Sequence, residues 1–207
     1  MTLKKFYVIL LSVIFIIGGC MLFTACFNKD ASNVNLSADL IMQYLGEDMT
    51  EVIQKLNIDT EKASVTEHGN SEIDLQLENV LIDENQTGYL TLSFYNNTLC
   101  YIRYDLANSM DAAYEYTKKL YNKYQETYGD PITYEDLPNR IKNLDSAELL
   151  NSADNFVSFK EDWNIENENI SNKVFNGNAI KLELSVSSGK TETGEQAASI
   201  TIRCFER

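Results

Sequence analysis

The sequence predicts an α+β domain: two short N-terminal helices and one long central helix packed on an antiparallel β-sheet. Three observations lead there. Apolar residues recur at helical spacing from residue 40 to 56 and again from 113 to 128. Elsewhere, as in Ile180, Leu182, Leu184 and Val186, they alternate with polar residues at the two-residue period of a half-buried strand. The strand-like stretches are also clustered instead of alternating with helices, which argues against a parallel βαβ sheet.

The chain has 207 residues, and the first thirty are expected to lie outside the fold. Lys4 and Lys5 make a basic start, and residues 6–17 form an apolar run of signal-peptide length. Small residues then lead into a cysteine twice, as Gly18-Gly19-Cys20 and as Thr24-Ala25-Cys26, before the chain turns polar at Asn28. This resembles a bacterial lipoprotein signal peptide, in which small residues admit the peptidase and the cysteine thiol receives a diacylglyceryl group. The resemblance implies lipidation at Cys26, with Cys20 as the alternative. Lipidating Cys20 would leave Met21, Leu22 and Phe23 between the lipid and the polar tether. Two acyl chains meet the usual requirement for stable anchoring. The remaining readings are an uncleaved anchor over residues 6–27, long enough for a bilayer of about 30 Å, and plain secretion. All three place the domain on the extracytoplasmic side. The organisation is then a signal peptide over 1–25, a lipidated cysteine and flexible tether over 26–37, and one domain over 38–207.

Ser37 is placed to cap a first helix carrying Leu40, Ile41, Tyr44 and Leu45, and Gly46 ends it. Asp48 and Glu51 form a capping box for a second, with Met49, Val52, Ile53 and Leu56 on one face. Ile73, Leu75 and Leu77, then Leu90, Leu92 and Phe94, mark strands, with another over residues 99–104. Placing Cys100, Ile102 and Tyr104 on the face of Leu92 and Phe94 requires Phe94 opposite Cys100, hence a three-residue loop at Asn96, Asn97 and Thr98.

The clearest helix covers residues 109–128, capped at Asn108 with Asp111 three residues on, and stopped at Gly129-Asp130-Pro131. Ala113, Thr117, Leu120, Tyr124 and Tyr128 are its packing stripe. Residues 135–153 read as a polar connection with a helical turn or two near Ala147 to Leu150. Three more strands follow, over residues 156–163, around Ile180 to Val186, and at Ile200, Ile202 and Cys204. Both domain cysteines, Cys100 and Cys204, are expected to point into the core, either as a disulfide or as two buried thiols.

The order of these elements carries a second resemblance. Gly46 to Val52, as Gly-Glu-Asp-Met-Thr-Glu-Val, followed by a meander ending in Leu92 to Leu99, resembles the opening unit of β-barrel-assembly lipoproteins of the SmpA/OmlA type and of β-lactamase-inhibitor-like domains. It covers about a third of the chain, and the long helix and three further strands depart from it. It implies protein binding on a sheet face and carries no functional residue across.

Charge and composition exclude several functions. There are 31 Asp and Glu against 17 Lys and Arg, a formal charge of −14, which disfavours nucleic acid. Removing residues 1–25 takes away two lysines and no acid, so the rest of the chain carries −16. That repels anionic lipid heads and leaves membrane attachment to the lipid. His68 is the only histidine, so a multi-histidine metal site is excluded, and no metal or other cofactor is expected. Beside Glu67 and Gly69-Asn70, it reads as part of a turn. Asp83 to Gly88 begins like a calcium loop but has Phe94 where the closing bidentate Glu belongs, and reads as a polar turn. Ser188 to Thr191 ends like a phosphate loop but has Leu184 at the first glycine position and joins two strands. Glu161 and Asp162 beside Trp163 are adjacent acids of the kind that 31 carboxylates produce by chance.

Ten of the 12 tyrosines fall between Tyr89 and Tyr134, and the long helix cannot bury all of its own on one side. Exposed tyrosine suits recognition. Tyr114, Tyr116 and Tyr121, with Trp163, are the candidate binding surface. Half-buried tyrosine with its hydroxyl in water is the structural alternative. The expected function is a membrane-anchored, non-catalytic extracytoplasmic lipoprotein that binds a protein or envelope component. The alternatives are a small-molecule or glycan-binding module and a carboxylate-dependent hydrolase.

Overall fold

The segment from residue 46 to 49 is stitched to a β-turn. Gly46 N–H donates to Leu99 O at 2.9 Å, Leu99 N–H to Glu47 O at 3.0 Å, and Met49 N–H to Asn97 O at 2.9 Å. Around this point the computed structural model describes residues 42–69, 71–83, 86–133, 139–151, 158–165, 180–190 and 196–206. Cys20, Cys26, the tether and the Ser37 cap fall outside them. The described elements are α1 (Met49–Lys55), β1 (Ser64–His68), β2 (Glu72–Asp83), β3 (Gln86–Tyr95), β4 (Thr98–Asn108), α2 (Met110–Tyr128), a 3-10 turn (Ile141–Asn143), α3 (Ala147–Asn151), β5 (Ser158–Ile165), β6 (Ile180–Lys190) and β7 (Gln196–Glu206). No described helix is long and apolar enough to cross a membrane.

The architecture corrects the expected α+β class to mainly β. Seven strands form one antiparallel sheet in the order β1-β2-β3-β4-β7-β6-β5. Among the described residues the helices are limited to 7, 19 and 5 residues. The pattern under-read strands for two reasons. All five residues of β1 are exposed, so the strand shows no apolar alternation. In β2 the alternation breaks between Leu77 and Val80, where Asn79 takes a φ of 54° in a bulge and Val80 and Ile82 resume burial one residue out of phase.

The β3–β4 hairpin corrects the expected three-residue loop. Tyr95 pairs with Thr98, so the turn is the two residues Asn96 and Asn97, with φ of 48° and 69°. Asparagine tolerates this left-handed region, and two such residues match the strand twist. Phe94 lies opposite Leu99, not Cys100. A register shift beside this pair then makes Cys100 the extra residue and brings Ile102 opposite Leu92 and Tyr104 opposite Leu90. The bulge thus restores the phase that the longer loop was expected to supply.

Rows of core side chains cross the sheet from β4 to β5: Ile102, Cys204, Leu182 and Trp163; then Tyr104, Ile202, Leu184 and Glu161; then Leu106, Ile200, Val186 and Phe159. Helix α2 lies over β4, β7, β6 and β5. Ser109 caps it by accepting from Ala112 N–H at 3.4 Å, so the expected Asn108 cap moves by one residue, and Gly129 ends it at a φ of 81°. Ala113, Tyr116, Thr117, Leu120, Tyr121 and Tyr124 are its buried residues. Each large apolar side chain removed from water contributes about 1.5–3 kcal/mol, which is what holds a helix of ordinary propensity against the sheet.

Candidate functional site

The expected binding surface does not form. Trp163 is fully buried; its indole N–H donates to Gly129 O at 3.1 Å, and the Tyr121 and Tyr124 rings pack on it at 5.9 and 5.6 Å. Tyr116 and Tyr121 are buried as well, and Tyr114, half-buried, donates its hydroxyl to Asp145 O at 2.9 Å. These aromatics are the joint between α2 and the sheet. The helix buries a stripe two residues wide, so it absorbs tyrosines that a narrower stripe would expose.

Glu161 and Asp162 separate to opposite faces of β5. Glu161 is in a core row and accepts from Arg140 Nε at 2.7 Å, from Arg140 Nη2, and from Lys142 N–H at 3.3 Å. That hydrogen bond holds the Arg140 pKa above its usual value against the effect of burial. Its role is structural: it clamps the segment before the 3-10 turn to the edge strand, where Lys160 N–H also donates to Asn139 O at 3.0 Å.

The face turned away from α2 carries the remaining chemistry. Strand alternation sends there Tyr89, Thr91, Ser93 and Tyr95 from β3, Tyr101, Arg103 and Asp105 from β4, and Thr201, Arg203 and Phe205 from β7. Lys181 and Glu183 of β6 and Lys160 and Asp162 of β5 extend it. Tyr89 and Tyr95 are 56% and 55% exposed. The Tyr101 and Phe205 rings approach to 6.2 Å, and Lys181 Nζ lies 5.5 Å from the Phe205 ring centre.

Arg103 and Arg203 are directly opposite in register. Arg103 grips Asp105 with Nε 2.7 Å from Oδ2 and Nη2 donating to Oδ1 at 3.0 Å, while Thr201 Oγ1 donates to Asp105 Oδ1 at 2.7 Å. Arg203 has one looser ion pair, Nη1 to Glu183 Oε1 at 3.4 Å. Lys160 pairs with Glu183 and with Asp162, and Lys181 Nζ lies 2.8 Å from Asp162 Oδ2.

The look-alike motifs are all taken up by strands. His68 ends β1, exposed, with Nε2 3.1 Å from Asp74 Oδ2. Asp83 and Gln86 close the β2–β3 hairpin, and Gly88 sits inside β3. Ser188 and Gly189 pair with Ala198 and Ala197 in the sheet, and Thr191 lies outside the described residues. Cys100 and Cys204 are free thiols. Cys204 is in the core as expected, but Cys100 is half-buried at the bulge with Sγ 3.3 Å from Ser93 O, which corrects its expected place in the core. Among the described residues no group of three or more His, Cys, Asp or Glu is arranged to hold a metal ion.

Tyr101, Arg103, Arg203 and Phe205 escaped the sequence reading. A signal for them existed: they are the alternate, non-core positions of strands whose core positions are plainly apolar. Compared with protein-family models and with curated proteins, the chain finds no match.

Proposed function

We propose that this chain is a lipid-anchored extracytoplasmic protein that binds a protein partner, without catalysis, through the sheet face turned away from α2. The observation that carries the reading is the composition of that face: Tyr89 and Tyr95, both more than half exposed, stand on the same strand beside Tyr101, Phe205 and two arginines. Aromatic and arginine side chains supply most hot-spot energy in protein recognition. The small-residue run before Cys26 supports the anchor.

Two measurements test it. Cys26→Ala should release the chain from membranes or leave an unprocessed precursor, while Cys20→Ala changes little; palmitate labelling that follows Cys20 instead would reverse the assignment. Cross-linking on intact cells should trap a partner that a Tyr89→Ser/Tyr95→Ser variant no longer holds. Equal capture by that variant, with folding unchanged, would exclude this face.

A further inference from the structure

We propose that Arg103, Arg203 and Tyr101 form a carboxylate-binding site on this face, which takes a C-terminal or acidic side-chain carboxylate of the partner polypeptide. The inference rests on the binding-face reading above and names the group that the face recognises.

The starting point is the cross-strand pair itself. Like charges directly opposite on antiparallel neighbours destabilise a sheet. This chain has 31 acids and 17 bases, yet it sets two guanidiniums against each other at the middle of a four-strand row. Their existing partners do not use them up. Arg103 Nη2 donates to Asp105 Oδ1, the buried Nε of each arginine makes no hydrogen bond, and Arg203 Nη1 reaches Glu183 only at 3.4 Å, so the capacity left over lies at the guanidinium end of Arg203. Both side chains are about a third exposed, at 39% and 35%, so a ligand can reach them.

The surroundings select the charge and shape of the group. On strands β4 to β5 this face gathers Arg103, Arg203, Lys160 and Lys181 against Asp105, Asp162 and Glu183, four cations and three carboxylates. One monoanion neutralises the patch, whereas a phosphate of about two negative charges would press against the three acids already there. Tyr101 adds a third donor. It stands on the same face two residues before Arg103 on β4, next to the strand that carries Arg203; burial raises its pKa, and the charges of Arg203 and Arg103 oppose that shift. The Tyr101 and Phe205 rings next to the pair offer an apolar flank to the residue that carries the carboxylate.

The test titrates the full-length chain, purified in non-ionic detergent and labelled with ¹⁵N-arginine, with three peptides at constant ionic strength. They are N-acetyl-Ala-Ala-Phe with a free C-terminus, the same peptide amidated, and amidated N-acetyl-Ala-Asp-Phe. A saturable shift of the Arg203 Nε–H resonance with the first identifies a C-terminal carboxylate, and with the third an acidic side chain; the amidated neutral peptide should leave it in place. Arg203→Gln should weaken binding at least tenfold, and Tyr101→Phe, which keeps the ring packing, about threefold. No saturable shift with either carboxylate peptide, an equal shift with the neutral amide, or tighter binding of inorganic phosphate would each overturn the site. Loss of carboxylate binding in Arg203→Gln with partner cross-linking intact would confine the failure to this inference and leave the binding face standing.

Discussion

Arg140 donates its Nε hydrogen to Glu161 Oε2 at 2.7 Å, with the two side chains only 7% and 0% exposed. Glu161 stands at the β5 end of a core row whose other members are Tyr104, Ile202 and Leu184. A carboxylate there is tolerated because a guanidinium and a backbone N–H meet it. Arg140→Ala strands the buried charge and should cost about 3–5 kcal/mol in urea unfolding. Arg140→Met/Glu161→Leu removes both charges and should recover most of that loss. A double variant as unstable as the sum of the single ones would show that the pair is not acting as a unit.

Gly88 is needed for close approach. A Cβ built there falls 2.4 Å from the Asp105 carbonyl oxygen and 3.1 Å from Ile82 Cδ1. Because the first contact is backbone of the adjacent strand, relief requires β3 and β4 to part. Gly88→Ala should therefore cost about 1–3 kcal/mol of stability as an overpacking change. An unchanged denaturation midpoint would mean the strands are farther apart than this.

Helix α2 offers a paired comparison on one turn. Leu120 is buried against the sheet and Lys119 is exposed. Leu120→Ala should destabilise by about 2–5 kcal/mol through the cavity it leaves. Lys119→Ala should stay within about 0.5 kcal/mol. Similar small effects from both would put the helix elsewhere.

Burial pushes the Cys204 thiol from an ordinary 9.0 up to about 12. A group whose pKa is higher when folded than when unfolded keeps its proton longer in the native state. Its contribution is complete below pH 9 and is lost as pH rises toward 12. The denaturation midpoint should thus fall between pH 9 and pH 11, and fall less in Cys204→Val, which has nothing to titrate at that position. Identical slopes in the two proteins would assign the loss to other groups.

Local signals carried a definite part of this structure. Asp48 caps α1 by accepting from Thr50 N–H at 2.8 Å, and Gly129 ends α2 in the left-handed region, as residues of those types do wherever the chain requires it. The alternations in β3, β6 and β7 read correctly because each strand has one face in the core. Where both faces are exposed, as in β1, or where a bulge shifts the phase, as at Asn79 and at Cys100, the period vanished from the sequence although the strand is there.

By itself the sequence determined the acidic net charge, the Asp48 cap, the Gly129 stop, and which residues of β3, β6 and β7 enter the core, since all of these depend on neighbours within a few positions. Only the tertiary structure decided that Arg103 faces Arg203, that Glu161 meets Arg140, and that Trp163 and the α2 tyrosines form a buried joint instead of a surface. Those relations depend on strand order and register. In this chain they join residues up to about 100 positions apart, and they are set by how the described helices and strands together bury the largest apolar area, a quantity that no local stretch contains.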